Sequence, residues 1–188
     1  MVFGLFVVED YIDGRLVGSV VKDWSSGGDL STINYVRLIG ALFTSVPRGG
    51  SVSFSAVDAD GESRTFIVKI NAGGASWFWN TNSCPNMIII GFGSSGGAPS
   101  RVQVNLGAMF TSDSNPSLVV DDDSGVVVIE GRFIDGVTRN VCEVGLFIHA
   151  TGVGSLNCHT FMIDRTVWSP CRSIPPGTPY IVRYRFVL

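Results

Sequence analysis

The last quarter of the chain, residues 142–188, reads CEVGLFIHATGVGSLNCHTFMIDRTVWSPCRSIPPGTPYIVRYRFVL, and this stretch decides the fold. Its final segment alternates along an extended backbone. Ile181, Arg183, Arg185 and Val187 point one way, and Val182, Tyr184, Phe186 and Leu188 point the other. An apolar row beside a row with two arginines is the period-two pattern of a half-buried β-strand. The sequence therefore predicts a last strand that is tied into a sheet.

The composition extends this prediction to the whole chain. The 188 residues suffice for one large or two small domains with a substantial core. Hydrophobic residues make up 45% and charged residues only 15%, which is below the usual quarter. Glycine occurs 23 times and valine-rich runs recur, and both features disfavour helices. The sequence thus predicts an all-β protein.

Turn signals divide the rest of the chain into strands. Asp13-Gly14 lies between two apolar runs and predicts an N-terminal hairpin. Asp60-Gly61 predicts a second hairpin, and residues 93–100 and 115–125 are predicted as long loops. An antiparallel β-sandwich of jelly-roll or Greek-key type accommodates these strands best.

The predicted organisation has two parts. Residues 1–24 form an N-terminal hairpin or arm, and residues 30–188 form the sandwich domain, with a Ser/Gly-rich link between them. The sequence GALFTS at residues 40–45 is echoed by GAMFTS at residues 107–112. Two similar β motifs within the sandwich, or an ancient duplication, would explain this echo, and chance is the alternative.

The C-terminal quarter carries a family resemblance. An E-x-G-L-F strand is followed by a strand in which an arginine precedes an aromatic residue, then by a Pro/Gly turn and the alternating last strand. The residues concerned are Glu143, Gly145, Leu146, Phe147, Arg165, Trp168, Gly177 and residues 180–188. This arrangement resembles the end of small β-rich virion structural proteins, the tail, fibre and capsid-associated proteins of phages and prokaryotic viruses. The resemblance implies a viral structural protein that self-assembles into a shell, fibre or filament, in a virion or an extracellular surface assembly. Its partners would be other copies of itself and other virion proteins.

Several function classes lack sequence support. No apolar run reaches the length of a membrane span, and the N-terminus lacks the basic region of a signal peptide. A net charge of −3 gives no basic surface for nucleic acid. His149 and His159 are the two histidines, and both lie close to predicted strands, as ordinary strand or loop histidines do; nothing in the sequence around them indicates a Ser/His/Asp triad. We therefore expect no enzymatic activity and no cofactor.

The chain has four cysteines and a run of three aspartates. Cys84, Cys142, Cys158 and Cys171 show no C-x-x-C spacing, so they predict either one or two disulfides or buried thiols. Asp121, Asp122 and Asp123 precede Ser-Gly and could ligate Ca²⁺ through carboxylates. A solvated turn is the alternative for these aspartates.

The aromatic pair Trp77 and Trp79 supports a second function. The two side chains share one face of a strand, which suits a platform for stacking sugar rings or a buried core layer. On the first interpretation the chain is a carbohydrate-binding or adhesin-like β-sandwich module that recognises host glycans.

Self-assembly has its own candidate residues. The N-terminal run is apolar on both faces and could be donated to the sheet of a neighbouring subunit, with the last strand as the alternative donor or receiving edge. Packing of the hairpin on its own subunit is the alternative. The candidate assembly residues are Val2, Phe3, Leu5, Phe6, Val7, Val8, Tyr184, Phe186 and Leu188.

Overall fold

A computed structural model of the chain describes residues 6–22, 51–69, 88–98, 105–121, 125–151 and 158–187. Within these ranges the chain is all-β, as the composition predicts, and contains no helix. The described strands are β1 (Phe6–Ile12), β2 (Arg15–Lys22), β3 (Ser51–Val57), β4 (Ser63–Lys69), β5 (Ile88–Gly93), β6 (Met109–Asp113), β7 (Ser117–Asp121), β8 (Val126–Phe133), β9 (Arg139–Thr151), β10 (Cys158–Ile174) and β11 (Tyr180–Val187).

These strands form three antiparallel sheets. The five-stranded sheet has the order β2-β1-β11-β8-β7, the four-stranded sheet has the order β10-β9-β5-β6, and β3 pairs with β4. Five pairs of described strands adjacent in sequence are hydrogen-bonded, namely β1–β2, β3–β4, β5–β6, β7–β8 and β9–β10. Long-range pairs join them: β11 lies between β1 and β8, and β5 lies beside β9. No described helix is long and apolar enough to cross a membrane.

The last strand confirms the alternation in its sequence. β11 pairs with β1 from Phe6↔Phe186 to Ile12↔Tyr180 and with β8 along its other side. The even-numbered side chains Tyr180, Val182 and Tyr184 are fully buried, whereas Arg183 and Arg185 face outwards. The strand is therefore half-buried, with its apolar row on the core.

The predicted hairpins are also confirmed. Asp13 and Gly14 have φ angles of 50° and 73°, and they connect β1 to β2 through a tight turn that requires positive φ at both positions. Gly61, with a φ of 88°, lies in the turn between β3 and β4. By contrast, Asp135-Gly136 does not close a hairpin: it links β8 of the five-stranded sheet to β9 of the four-stranded sheet.

The prediction of a continuous loop over residues 115–125 is wrong. Ser117–Asp121 is a strand, β7, which pairs with β8 from Ser117↔Glu130 to Asp121↔Val126. The apolar run Leu118-Val119-Val120 has high β propensity, and it forms a strand despite the turn residues on both sides.

Both larger sheets contribute to one apolar core. Phe92 of β5 contacts Phe133 of β8, with ring centroids 4.9 Å apart, and Tyr180 of β11 at 5.9 Å. Gly131 of β8 lies so close to Ile90 of β5 that a Cβ at Gly131 would come within 2.7 Å of the isoleucine side chain. The buried members of this core cluster are Phe6, Val8, Ala56, Ile90, Phe92, Ile129, Phe133, Val141, Val144, Leu146, Ile148, Phe161, Ile163, Trp168, Ile174, Tyr180, Val182 and Tyr184.

Candidate functional site

The described residues of the predicted assembly set lie on interior strands. Phe6, Val8 and Tyr184 are buried in the core, and Val7 and Phe186 are half-buried. β1 has β2 and β11 as neighbours, and β11 has β1 and β8, so neither strand is an edge of the sheet. Val2, Phe3, Leu5 and Leu188 lie outside the described residues. Donation of these strands between subunits stays a prediction.

The other predicted sites are described only in part. Asp121 ends β7, and the following aspartates Asp122 and Asp123 lie outside the described residues, as do Trp77, Trp79 and Cys84. Among the described residues no group of three or more His, Cys, Asp or Glu side chains is arranged to hold a metal ion. His149 and Cys158 lie on the paired strands β9 and β10.

One of the predicted disulfides is formed. Cys142 of β9 and Cys171 of β10 are joined, with their sulfurs 2.13 Å apart and their Cα atoms 4.2 Å apart. The register between these strands shifts here: Val167 pairs with Glu143, but Arg172 pairs with Val141. Residues 168–171 therefore bulge opposite the single residue Cys142, and the disulfide closes the base of the bulge.

An ion pair joins the two larger sheets beside this bulge. Asp10 of β1 is fully buried, and its Oδ2 accepts hydrogen bonds from Arg172 Nε at 2.8 Å and from the Tyr180 hydroxyl at 3.2 Å. The arginine also stacks on Trp168, 5.1 Å from the ring centroid. Burial, followed by the negative charge of Asp10, raises the pKa of Tyr180 well above its usual value, so this hydroxyl stays a donor.

A second buried ion pair joins the same hairpin to β10. The Nζ of Lys22 on β2 lies 3.4 Å from the Oδ1 of Asp164 on β10 and donates to the backbone oxygen of Arg165 at 2.8 Å. Both charged side chains are about 1% exposed. The hairpin of β1 and β2 is thus attached to β10 by two ion pairs as well as by apolar packing.

Glu143 organises the opposite face of the four-stranded sheet. Its carboxylate accepts a hydrogen bond from Arg165 Nε at 2.7 Å. It also accepts hydrogen bonds from the backbone N–H groups of Ser95, Gly107 and Ala108 at 2.9–3.3 Å. The Arg165 guanidinium donates further to the backbone oxygen of Gly97 at 2.9 Å. This buried pair therefore fixes the two chain segments that follow β5 and precede β6. The acceptor capacity of the carboxylate is used inside the molecule, which identifies Glu143 as a structural residue.

The turn between β3 and β4 contacts β10 near the histidines. Asp58 Oδ1 accepts the backbone N–H groups of Asp60 and Glu62, and Ala59 N donates to Thr160 O at 2.7 Å. Asp58 Oδ2 lies 3.5 Å from His159 Nδ1 and also accepts Arg64 Nε. No nucleophile is placed beside this imidazole among the described contacts, and the carboxylate serves to close the turn.

The outer face of the five-stranded sheet carries surface ion pairs. Arg183 binds Glu130 at 2.6 Å and stacks on Tyr11 at 4.6 Å, and Arg185 binds Glu9 at 3.2 Å. A second row of residues, aligned by strand register, crosses the sheet beside the charged row. It consists of Val21 on β2, Val7 on β1, Arg185 on β11, Val128 on β8 and Val119 on β7. The outer face thus combines a charged row with a row that is largely valine.

The two edges of this sheet differ in their protection. Within the described residues, β2 and β7 each have a hydrogen-bonded neighbour on one side only. β2 is interrupted by a bulge, because Gly18 pairs with Asp10 while Leu16 pairs with Tyr11, and a bulge discourages pairing with another strand. β7 has an unbroken register with β8 and contains no lysine, arginine or proline. Of the two edges formed by described strands, β7 is therefore the one better suited to pair with a further strand.

β7 also exposes apolar side chains on both faces. Leu118, Val119 and Val120 are 51%, 55% and 57% exposed, although alternate side chains of a strand point in opposite directions. The paired residues Val127 and Val128 of β8 are only half-buried. We define the assembly edge as β7 together with these two valines. The run LVV and the run VVV after Gly125 could have revealed it in the sequence, but the turn residues around residues 115–125 masked the signal.

The chain matches no protein-family model, no curated protein and no solved structure. The geometry of the described residues is therefore the basis for the functional argument.

Proposed function

We propose that this chain is a structural protein whose copies assemble through the assembly edge. The observation that supports this proposal is β7 itself: a strand of high β propensity at the edge of a five-stranded sheet, with apolar side chains exposed on both faces and no charged residue among Leu118, Val119 and Val120. Such an edge offers unpaired backbone groups and apolar contacts together, and natural monomers generally avoid that combination.

The occupant that fits this edge is a second copy of the same strand. Two β7 strands related by a two-fold axis at Val119 run antiparallel, and Leu118 of one copy then lies opposite Val120 of the other. The central pairs of this register are apolar on both sides, so no like charges oppose each other there. The pairing extends two five-stranded sheets into one continuous sheet. A strand from a different protein would have to reproduce the same uncharged pattern.

The proposal has a finer form. The two larger sheets are the layers of a sandwich of jelly-roll or Greek-key type; their shared core and the return of β11 to the side of β1 support this. The resemblance of the C-terminal quarter to virion structural proteins supports a role in a virion shell, fibre or filament. An isologous pair closes on itself, so such an assembly needs a second contact, for which the valine row on the outer face is available.

A charge placed in the assembly edge tests the proposal. We expect the wild-type protein to sediment as dimers or larger particles, and Val119→Lys to sediment as a monomer, because a lysine on an edge strand opposes strand pairing. Val137→Lys is the matched control: Val137 is 53% exposed and belongs to the link between β8 and β9, not to β7. A wild-type protein that remains monomeric at millimolar concentration, or a Val119→Lys protein that assembles like the control, would overturn the proposal.

A further inference from the structure

The disulfide Cys142–Cys171 lies where the pairing of β9 and β10 is interrupted. Four residues of β10, residues 168–171, face one residue of β9, Cys142. Two backbones of unequal length do not hold a fixed spacing through the regular ladder alone. The disulfide ties the end of the bulge to β9, and Arg172 is the first residue beyond it to return to the ladder, opposite Val141.

Arg172 connects the bulge to the other sheet. Its NH1 donates to the backbone oxygen of Pro170 at 2.8 Å, and its Nε donates to Asp10 at 2.8 Å. Gly18 of β2 leaves the room for this contact, since a Cβ there would collide with both the guanidinium and the Asp10 carboxylate. The guanidinium thus occupies one defined position, between the bulge that carries the disulfide and the carboxylate of β1.

The position of Arg172 matters because Asp10 is buried. The Asp10 carboxylate is inaccessible to solvent, and the Asp10 Oδ1 has no hydrogen-bond partner among the described residues. Removal of the cation would leave a buried carboxylate with the Tyr180 hydroxyl as its remaining described donor, and an uncompensated buried charge is strongly destabilising. The join between β1 and β10 therefore depends on a side chain whose neighbour in sequence is a disulfide-bonded cysteine.

We propose that the Cys142–Cys171 disulfide is a redox-controlled lock on the Arg172–Asp10 contact between the two sheets. When the disulfide is intact, the bulge holds Arg172 against Asp10. A dithiol reductant converts the two half-cystines to thiols and is itself oxidised to its disulfide, and the freed bulge then releases Arg172. The molecule is locked in an oxidising environment and loosened along the β1–β10 join in a reducing one. This inference is independent of the assembly edge.

The difference in exposure between the two cysteines determines which sulfur the reductant attacks first. Cys171 is exposed together with Ser169 and Pro170, whereas Cys142 is 6% exposed. A thiolate of the reductant attacks the sulfur of Cys171 and forms a mixed disulfide there. Cys142 leaves as a thiolate and takes up a proton. The second thiol of the reductant then attacks the mixed disulfide, which releases Cys171 as a thiol.

A thermodynamic cycle tests the coupling between the lock and the ion pair. The unlocked form is Cys142→Ser with Cys171→Ser, and the ion pair is removed by Asp10→Asn with Arg172→Gln, so that no lone charge stays buried. In the wild-type background we expect the unlocking substitutions to lower the urea midpoint at least twice as much as in the background without the ion pair. Equal losses in the two backgrounds would overturn the proposal. Arg139→Gln is the control: this arginine, at the start of β9, forms a half-buried ion pair with Asp135 in the link before it, and in that background the loss should equal that of the wild type.

Amide hydrogen exchange gives a second readout that keeps the ion pair intact. In the Cys142→Ser, Cys171→Ser protein, the amides of β1 near Asp10 should exchange at least tenfold faster than in the wild type, while those of β8 are unchanged. Acceleration confined to β9 and β10 would mean that the disulfide holds only its own hairpin. Brief treatment of the wild type with reduced glutathione should yield an adduct at Cys171, and an adduct at Cys142 would contradict the order of attack.

Discussion

Glu143 shows how one residue can determine a large part of the local structure. It is fully buried, and its carboxylate is paired with Arg165 and with backbone donors from two separate segments of the chain. Gly93 and Gly107 sit where larger residues would collide with Glu143 and Ser95, so the surrounding sequence is adapted to this contact. The E-x-G-L-F pattern in the sequence contains this residue, although the pattern alone does not reveal its partners.

Substitution of Glu143 by glutamine should destabilise the protein strongly. The glutamine keeps the shape but removes the negative charge that the buried Arg165 guanidinium faces at 2.7 Å, and the loss of this charge from a buried pair costs about 3 kcal/mol. The free energy of unfolding from a urea titration measures the loss. Glu62→Gln, at an exposed position in the turn between β3 and β4, serves as the control and should change the stability by less than about 0.5 kcal/mol. A loss below about 1 kcal/mol for Glu143→Gln would contradict the structural role assigned to the pair.

At the scale of elements, the sequence predicts the features that depend on neighbouring residues and does not predict the contacts between distant segments. The alternation of β11 and the Asp13-Gly14 turn depend on neighbours in sequence, and both were predicted. The sequence does not predict β7, because its short apolar run stands between turn residues, and these residues favour a loop. The Asp10–Arg172 contact joins residues 162 positions apart, so no local pattern could predict it.

The cysteines illustrate the same limit. Their spacing left disulfides and free thiols equally open, because connectivity cannot be deduced from sequence. The structure brings Cys142 and Cys171 together because β9 and β10 form a hairpin whose register shifts at that point. The sequence predicted neither the shift nor the bulge.

The hairpin of β9 and β10 should give the protein a pH-dependent stability. Burial, with a smaller contribution from the charge of His159, lowers the pKa of His149 below its usual value, about 6.5. The unfolded chain therefore binds a proton at a higher pH than the folded chain does. The contribution of His149 to stability is complete above about pH 6.5 and is lost as the pH falls from there towards the lower folded-state pKa.

Thermal unfolding between pH 7.5 and pH 5 measures this contribution. We expect the wild-type melting temperature to fall over this interval, and the fall to be smaller in His149→Gln, which carries no titrating group at this position. Asp58 also contributes to the stability of the fold, but this contribution changes in a different pH range. Burial tends to raise the pKa of Asp58, but hydrogen bonds from Arg64 and the turn outweigh it and lower the pKa, so its stabilisation is lost only below about pH 4. An equal fall in the wild type and in His149→Gln would refute the assignment to His149.

At the scale of the whole molecule, the two edges of the five-stranded sheet explain the proposed function. β2 carries a bulge and is adjacent to the Arg172–Asp10 contact, whereas β7 is regular, uncharged over its centre and exposed on both faces. The interior positions of β1 and β11 make them parts of the core, and of the two described edges β7 is the one with a regular register. The composition gave an early indication, because few charges and many apolar residues suit a surface that is partly buried between subunits.

Amide hydrogen exchange of β7 as a function of protein concentration tests the central claim most directly, because it requires no substitution. If copies pair through β7, the amides that point away from β8 exchange rapidly in dilute solution and become protected as the concentration rises through the range in which dimers form. The exposed-edge amides of β2 serve as the internal reference and should show no such change. Protection of β7 amides that is independent of concentration, or protection that appears on β2 instead, would contradict assembly through the β7 edge.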